Sequence, residues 1–235
     1  MSEEVNTVVI LAGGKGTRMR EETEFIPKPM VRVGGIPVIE HLINYISKFK
    51  KFEFIICTGY KEEVIQDYFT INKYPNVKVL PTGLDTNTGG RIFKVKNYIN
   101  GDFIMTYGDG LADVDINKLI EFHQHHKKTA TLTVNKPVSR FGLVEFEKNG
   151  EVIEFTEKPI LNSFVNIGYM VFTRQIFQYL NENVVFENRP LKSLARNKEI
   201  YAFIHNGFFR PMDTYREYLE LNKMWDKGEA PWRVE

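Results

Sequence analysis

Apolar and polar positions fall into alternating blocks along the first half of the chain. Residues 7–12, Thr-Val-Val-Ile-Leu-Ala, are an unbroken β-branched and aliphatic run, the pattern of a strand buried on both faces. Comparable runs predict strands over 52–58, 77–80 and 103–107. Between them the apolar residues take helical spacing: Val38, Ile39, Leu42, Ile43 and Ile46 as far as Phe49, then 62–69, then Ile92, Val95 and Tyr98. Pro37 stands where it can open the first of these helices. Strand and helix in alternation predict right-handed crossovers and a mostly parallel sheet.

The pattern changes after residue 112. A helix capped by Asp115 carries Leu119, Ile120 and Phe122, and a strand follows over 129–135. Residues 141–146 and 152–156 flank Lys148-Asn149-Gly150 as a β-hairpin. A strand over 164–172, helices near 175–180 and 191–197, a strand over 200–205 and a helix over 213–227 complete the chain. No repeat, linker or low-complexity segment interrupts it. The reading is α/β, one domain over 1–235, with a doubly wound half and a mixed, hairpin-bearing half.

The first strand breaks into Gly13-Gly14-Lys15-Gly16-Thr17-Arg18. Glycine lets the backbone turn sharply and approach a bulky anion, and successive N–H groups in such a turn form an anion-binding concavity. Arg18 can add a bidentate fork to a phosphate oxygen. The order of glycines fits neither the dinucleotide fingerprint G-x-G-x-x-G nor the P-loop G-x-x-x-x-G-K-[ST]. Lys28 follows between Pro27 and Pro29, a positioned charge near this phosphate cradle. Residues 82–91 and Gly108-Asp109-Gly110 also follow strands, and in parallel sheets ligands bind beyond the strands' carboxyl ends. One site can gather all three segments.

Composition narrows the partners. Lys and Arg number 31 against 30 Asp and Glu, a balance that argues against a nucleic-acid-coating surface or a polybasic membrane patch. The one cysteine, Cys57, lies in Phe54-Ile55-Ile56-Cys57 and reads as a buried strand thiol. His123, His125 and His126 read as a solvated helix end beside Lys127-Lys128, since adjacent helical residues point in different directions. Glu21-Glu22-Thr23-Glu24 reads as a solvated loop. The acidic start Met1-Ser2-Glu3-Glu4 lacks a signal-peptide pattern, and no apolar run approaches the roughly 20 residues of a membrane span. A cytoplasmic protein is expected.

With these pieces placed, the chain resembles the sugar nucleotidylyltransferases. The matching motifs are Leu11-Ala12-Gly13-Gly14-x-Gly16-Thr17-Arg18, Lys28-Pro29, Asp109 after a strand, Phe141-Gly142, Glu157-Lys158-Pro159 and a late Asp213, in that order. Among them it is most similar to the glucose-1-phosphate cytidylyltransferases, through residues 82–91, Thr106-Tyr107-Gly108-Asp109-Gly110, Pro211-Met212-Asp213-Thr214 and Ala230-Pro231-Trp232.

The resemblance implies a three-layer α/β/α sandwich around a Rossmann-like, mostly parallel mixed sheet. It implies CMP transfer from CTP to a small phosphorylated acceptor, glucose 1-phosphate giving CDP-glucose, with release of pyrophosphate. Residues 1–112 would bind the nucleotide and 113–235 the acceptor. By likeness, Arg18 and Lys28 hold the triphosphate, with Leu11, Ala12, Gly13, Gly14, Gly16, Thr17 and Gly108 around it. Thr82, Gly83, Thr88 and Gly89 meet the base. Asp109 and Asp213 hold Mg2+, and Gly142, Glu157, Lys158 and Asn166 face the acceptor. The likeness also implies a homo-oligomer.

The residues support this chemistry independently. A phosphate monoester nucleophile is largely dianionic at pH 7, so no general base is needed, and fixed positive charge is. Two features depart from the pattern. The chain is shorter than expected between residue 69 and Thr82, and Ile167 stands where the family usually has glycine beside the acceptor. They leave open CMP transfer to another sugar phosphate or to a phosphorylated amino-acid derivative. A non-catalytic nucleotide-sensing module is the reading from another class.

Overall fold

A computed structural model describes residues 4–19 and 23–234, the Arg18 side chain excepted. β1 (Thr7–Ala12) pairs in parallel with β4 (Glu53–Thr58) on one side and β6 (Phe103–Tyr107) on the other, and β5 (Val77–Pro81) continues beyond β4. Beyond β6 come β12 (Met170–Phe172), then β8 (Ala130–Asn135), which also pairs with β11 (Val165–Asn166) and β13 (Ile200–Ile204). Only β11 and β12 run antiparallel to their neighbours. The sheet is mixed and mostly parallel, as expected, and strands from both halves of the chain share it.

Alternation along β1 sends its side chains into two cores. Val8, Ile10 and Ala12 face one side, under the helices Val38–Ser47 and Ile116–His126 and Leu221 of the helix Tyr215–Asp226. Val9 and Leu11 face the other, with Ile92 of the helix Thr88–Lys94, Phe186, and Leu194 of the helix Arg189–Arg196. All six residues of β1 are buried. Each large aliphatic side chain removed from water there contributes about 1.5–3 kcal/mol. Helices on both faces make the three-layer α/β/α sandwich.

Three short ladders decorate this frame. β2 (Arg32–Val33) and β3 (Ile36–Pro37) meet across Gly34-Gly35, both at positive φ. β7 (Gly110–Ala112) pairs antiparallel with β14 (Phe209–Pro211). β9 (Leu143–Phe146) and β10 (Val152–Thr156) form the expected hairpin, exposed along its whole length as an arm.

Several sequence expectations change. The strand expected over 164–172 splits, because Gly168 and Tyr169 both take positive φ (79° and 52°) between β11 and β12. Ile167 at that break is buried in the first core, so its branched side chain packs away from solvent. The histidine run is not a solvated end throughout: His123 is 1% exposed, and its Nδ1 and His126 Nε2 both hydrogen-bond Thr131 Oγ1, at 2.8 and 2.7 Å. Thr23, expected in a solvated loop, is buried and donates to the Gly16 and Met19 carbonyls. Trp232 stacks on Phe208 within the body at 5.1 Å. Cys57 is buried as expected, and burial pushes its thiol up to about 12.

Candidate active site

Strand order reverses about β1: the chain runs to β4 and β5 on one side, then returns to β6 on the other. That reversal leaves a crevice at the carboxyl edge of the sheet. A cavity of about 620 Å3 opens there. Among the sequence-predicted residues it is lined by Leu11, Ala12, Gly13, Gly14, Gly16, Thr17, Lys28, Thr88, Gly108 and Asp109. Gly16 takes φ +62°, and a Cβ there would sit 3.0 Å from Lys28 Cβ, so the cradle's turn and the lysine are packed together. The side chain of Arg18 lies outside the described residues.

Asp109 and Asp213, 104 positions apart in sequence, are joined by the β7–β14 ladder. Pro211 stands opposite Gly110, and the Met212 N–H donates to the Asp109 carbonyl at 2.8 Å. Lys28, whose side chain is 11% exposed, donates to Asp109 Oδ2 and, at 2.6 Å, to Asp213 Oδ1. Two carboxylates around one ammonium leave one net negative charge at this end of the cavity. They converge on a cation, as a metal pair must. No cluster of three or more His, Cys, Asp or Glu with metal-binding geometry exists among the described residues. The donor set suits a hard ion such as Mg2+, which takes one or two carboxylates and completes its octahedron with substrate phosphates and water.

Asp213 is fixed from behind. Glu217 Oε2 accepts from the N–H groups of Asp213 and Thr214, both at 2.9 Å, and the Thr214 hydroxyl accepts from the Glu217 N–H. This capping box starts the helix Tyr215–Asp226. The other oxygen of Glu217 accepts from Arg140 Nη2 at 2.8 Å, which ties the root of the arm to the Asp213 turn.

At the opposite end, residues expected to meet the base lie partly behind the cavity wall. Thr82 is buried, donating to the Thr58 carbonyl and accepting from Arg91 Nη1, both at 2.6 Å. Gly89 abuts Val184, where a Cβ would come within 2.6 Å. Gly83, at φ +97°, turns the chain beside Thr86. Thr88 lines the cavity, but its hydroxyl donates to Glu187 Oε2 at 2.7 Å and accepts from the Phe186 N–H. Tyr107 donates to Glu187 Oε1 at 2.6 Å, and burial first, then Glu187, raises its phenol well above the usual range.

The acceptor candidates are not all gathered. Gly142 and Glu157 adjoin in the arm, and Glu157 pairs with Lys158 at 3.3 Å, but none of the three lines the cavity. Asn166 accepts from the Gly168 N–H at 3.1 Å, and Gly168 in turn packs on the Tyr107 ring. Sequence reasoning brought residues 82–91 to the site without singling out Arg91, and it missed Glu187 and Glu217. Thr214-x-x-Glu217 was a readable capping signal; nothing local marked Glu187.

The nucleotidyl transferase family model matches residues 7–209. The glucose-1-phosphate cytidylyltransferase of Salmonella typhi is 40% identical, over 96% of this chain and 98% of its own. A probable glucose-1-phosphate cytidylyltransferase of Bacillus subtilis (strain 168) is 38% identical with the same coverage. Its alignment spans 251 residues, more than the 235 here, so that relative carries residues this chain lacks. The crystal structure of HddC from Yersinia pseudotuberculosis superposes with a TM-score of 0.74 at 26% identity, over 94% of this chain and all of that one. With the glycine cradle, Lys28 and the two aspartates gathered at one sheet edge, the chain belongs to the nucleotidyl transferase family.

Proposed function

We propose that this enzyme transfers CMP from CTP to a small phosphorylated acceptor, glucose 1-phosphate, giving CDP-glucose and pyrophosphate with Mg2+ as cofactor. The observation that carries the reading is the Lys28 ammonium held by Asp109 and Asp213 beside the glycine cradle. That is the charge arrangement a triphosphate and a divalent cation need side by side. The choice of CTP and glucose 1-phosphate rests on the named activity of relatives at 38–40% identity over nearly the whole chain.

In this reading the amides of residues 13–16, with Arg18 and Lys28, hold the triphosphate in line. Asp109 and Asp213 would hold Mg2+, which supplies charge neutralisation at the transferring phosphoryl group. An acceptor phosphate oxygen forms a bond to the α-phosphorus while the α–β bridging bond breaks, and its electron pair leaves with pyrophosphate. Lys158 neutralises the acceptor's phosphate, and Gly142, Glu157 and Asn166 face its remainder. The base sits between Gly13 and residues 82–89. Residues 1–112 thus serve the nucleotide and 113–235 the acceptor, in a cytoplasmic enzyme.

Among the described residues no helix is long and apolar enough to cross a membrane. The exposed rings of Phe141, Phe146 and Phe155 on the arm support a homo-oligomer. A pyrophosphate-release assay with CTP, Mg2+ and a panel of phosphorylated metabolites tests the reading. Glucose 1-phosphate is expected to give the highest kcat/KM. A better sugar phosphate or phosphorylated amino-acid derivative would replace the acceptor, and CTP binding without release across the panel would leave a nucleotide sensor.

A further inference from the structure

No residue from 136 to 166 is buried, and the hairpin of β9 and β10 lies within that segment. A lone two-stranded hairpin is marginal in water, and here no buried side chain anchors it to the body. Its root is braced internally. The Ser139 N–H donates to the Pro159 carbonyl at 2.8 Å and the Leu161 N–H to the Pro137 carbonyl at 2.9 Å, with Val138 bridged to Ile160. The Ser139 hydroxyl donates to the Phe141 carbonyl at 2.7 Å and accepts from the Phe141 N–H at 3.2 Å, which folds the backbone tightly around Arg140. A Cβ at Gly142 would lie 2.5 Å from the Phe155 ring and 3.0 Å from Glu157 Oε2. Arg140, Gly142, Glu157 and Lys158 therefore share one braced root.

One side-chain bond carries that root to the rest of the molecule. Among the described residues, the hydrogen bonds of 137–164 stay within the segment except that from Arg140 Nη2 to Glu217 Oε1, at 2.8 Å. Glu217 is well placed to hold it. Its side chain is 14% exposed, and its other oxygen already takes the N–H groups of Asp213 and Thr214. A shielded carboxylate fixed by two amides gives a guanidinium a stronger and better-oriented partner than a mobile surface carboxylate does. Arg140 thus fastens the segment bearing the acceptor candidates to the turn that bears Asp213.

We infer that Arg140 is a positioning residue for the acceptor: its ion pair with Glu217 latches the arm against the Asp213 turn. The inference rests on the acceptor reading above and deepens it. Gly142, Glu157 and Lys158 do not line the cavity, so their service to an acceptor depends on where the arm is held. Arg140 does not line it either, and acts through Glu217. In-line transfer tolerates little misplacement of the attacking oxygen. An unlatched arm must be ordered anew whenever an acceptor binds, and that cost falls on acceptor affinity. The nucleotide, served by residues 1–112, does not bear it.

The test measures pyrophosphate release against glucose 1-phosphate at saturating CTP, and against CTP at saturating glucose 1-phosphate. It compares the wild type with Arg140→Gln, Arg140→Lys, Glu217→Gln and the double variant Arg140→Gln/Glu217→Gln. Glutamine at 217 keeps the capping oxygen and loses the charge. Arg140→Gln is expected to raise the KM for glucose 1-phosphate about fivefold or more and to leave the KM for CTP within about twofold. Arg140→Lys, which keeps the charge but loses the fork, is expected to fall between. In the double variant Arg140→Gln is expected to add no further rise to that of Glu217→Gln. Equal rises for both substrates, an unchanged acceptor KM, or additive losses in the double variant would each overturn the inference. A second readout needs no acceptor. Spin labels are placed at Asn149→Cys in the hairpin turn and at Asp226→Cys, at the end of the helix that carries Glu217. The distances between them are expected to spread in Arg140→Gln, and an unchanged distribution overturns the latch. If the wild type releases no pyrophosphate with glucose 1-phosphate, the acceptor reading fails by itself, and the label distances still decide the latch.

Discussion

Lys28 Nζ lies 2.6 Å from Asp213 Oδ1, 185 positions away along the chain, while it also donates to Asp109. An ammonium between two carboxylates marks the place where cationic charge is held in this molecule. Each carboxylate is needed if that charge is to serve the transferring phosphoryl group. Asp109→Asn and Asp213→Asn are each expected to lower kcat about a hundredfold or more, several kcal/mol of barrier, with the thermal midpoint nearly unchanged. Pyrophosphate release and a melting curve check this; near-wild-type turnover in either variant would refute the assignment.

Lys28→Met leaves the two aspartates facing one another without their shared cation. Like charges that close oppose each other's ionisation and the compact state. The variant is expected to melt below the wild type in a chelating buffer and to be stabilised more than the wild type by added Mg2+. Melting curves across a Mg2+ titration report both shifts, and an equal response in the two proteins would count against a cation site here.

The Asp213 turn depends on the capping box of Thr214 and Glu217. Thr214→Ala removes the hydroxyl that accepts from the Glu217 N–H. Loss of such a cap costs about 1 kcal/mol. For a chain of this size that lowers the melting temperature by about 2–4 °C. A shift below half a degree would mean that the helix does not rely on its cap.

Acid should weaken the fold through its buried histidines. Burial first, then the neighbouring His126, lowers His123 to about 4 from 6.5, and burial lowers His41 and His126 as well. Between pH 6.5 and about 4 the unfolded chain takes up protons on these imidazoles that the folded chain refuses. Stability is therefore complete above pH 6.5 and falls as the pH drops through that window, by about 3 kcal/mol at most from His123. Chemical denaturation at pH 7 and pH 4.5 measures the loss, and His123→Gln should reduce it.

Much of the frame was legible because its signals are local. The unbroken apolar run over 7–12 announced a doubly covered strand, and alternating periods announced the crossovers. Asp109, Asp213 and Lys28 were found through motifs, and the structure brings them together. What could not be read depends on distant partners. Arg91 was one residue of a polar loop until Gly13, Thr58 and Leu84 closed around it. Glu187 holds two residues of the cavity wall, Tyr107 and Thr88, across 80 and 99 positions. The solvated reading of His123 failed for the same reason, since β8 brings Thr131 beneath it.

Val5 and Trp232, each 1% exposed, belong to one apolar cluster. A nascent chain therefore makes β1, β4 and β5 well before the last residues that cover them. At ordinary elongation rates that interval is on the order of ten seconds or more. Through it the face bearing Val8, Ile10 and Phe54 lacks Leu221 and Trp232, and the emerging half-molecule is open to chaperones and to sticking. Synthesis runs from one end, but this core closes only when both ends are present.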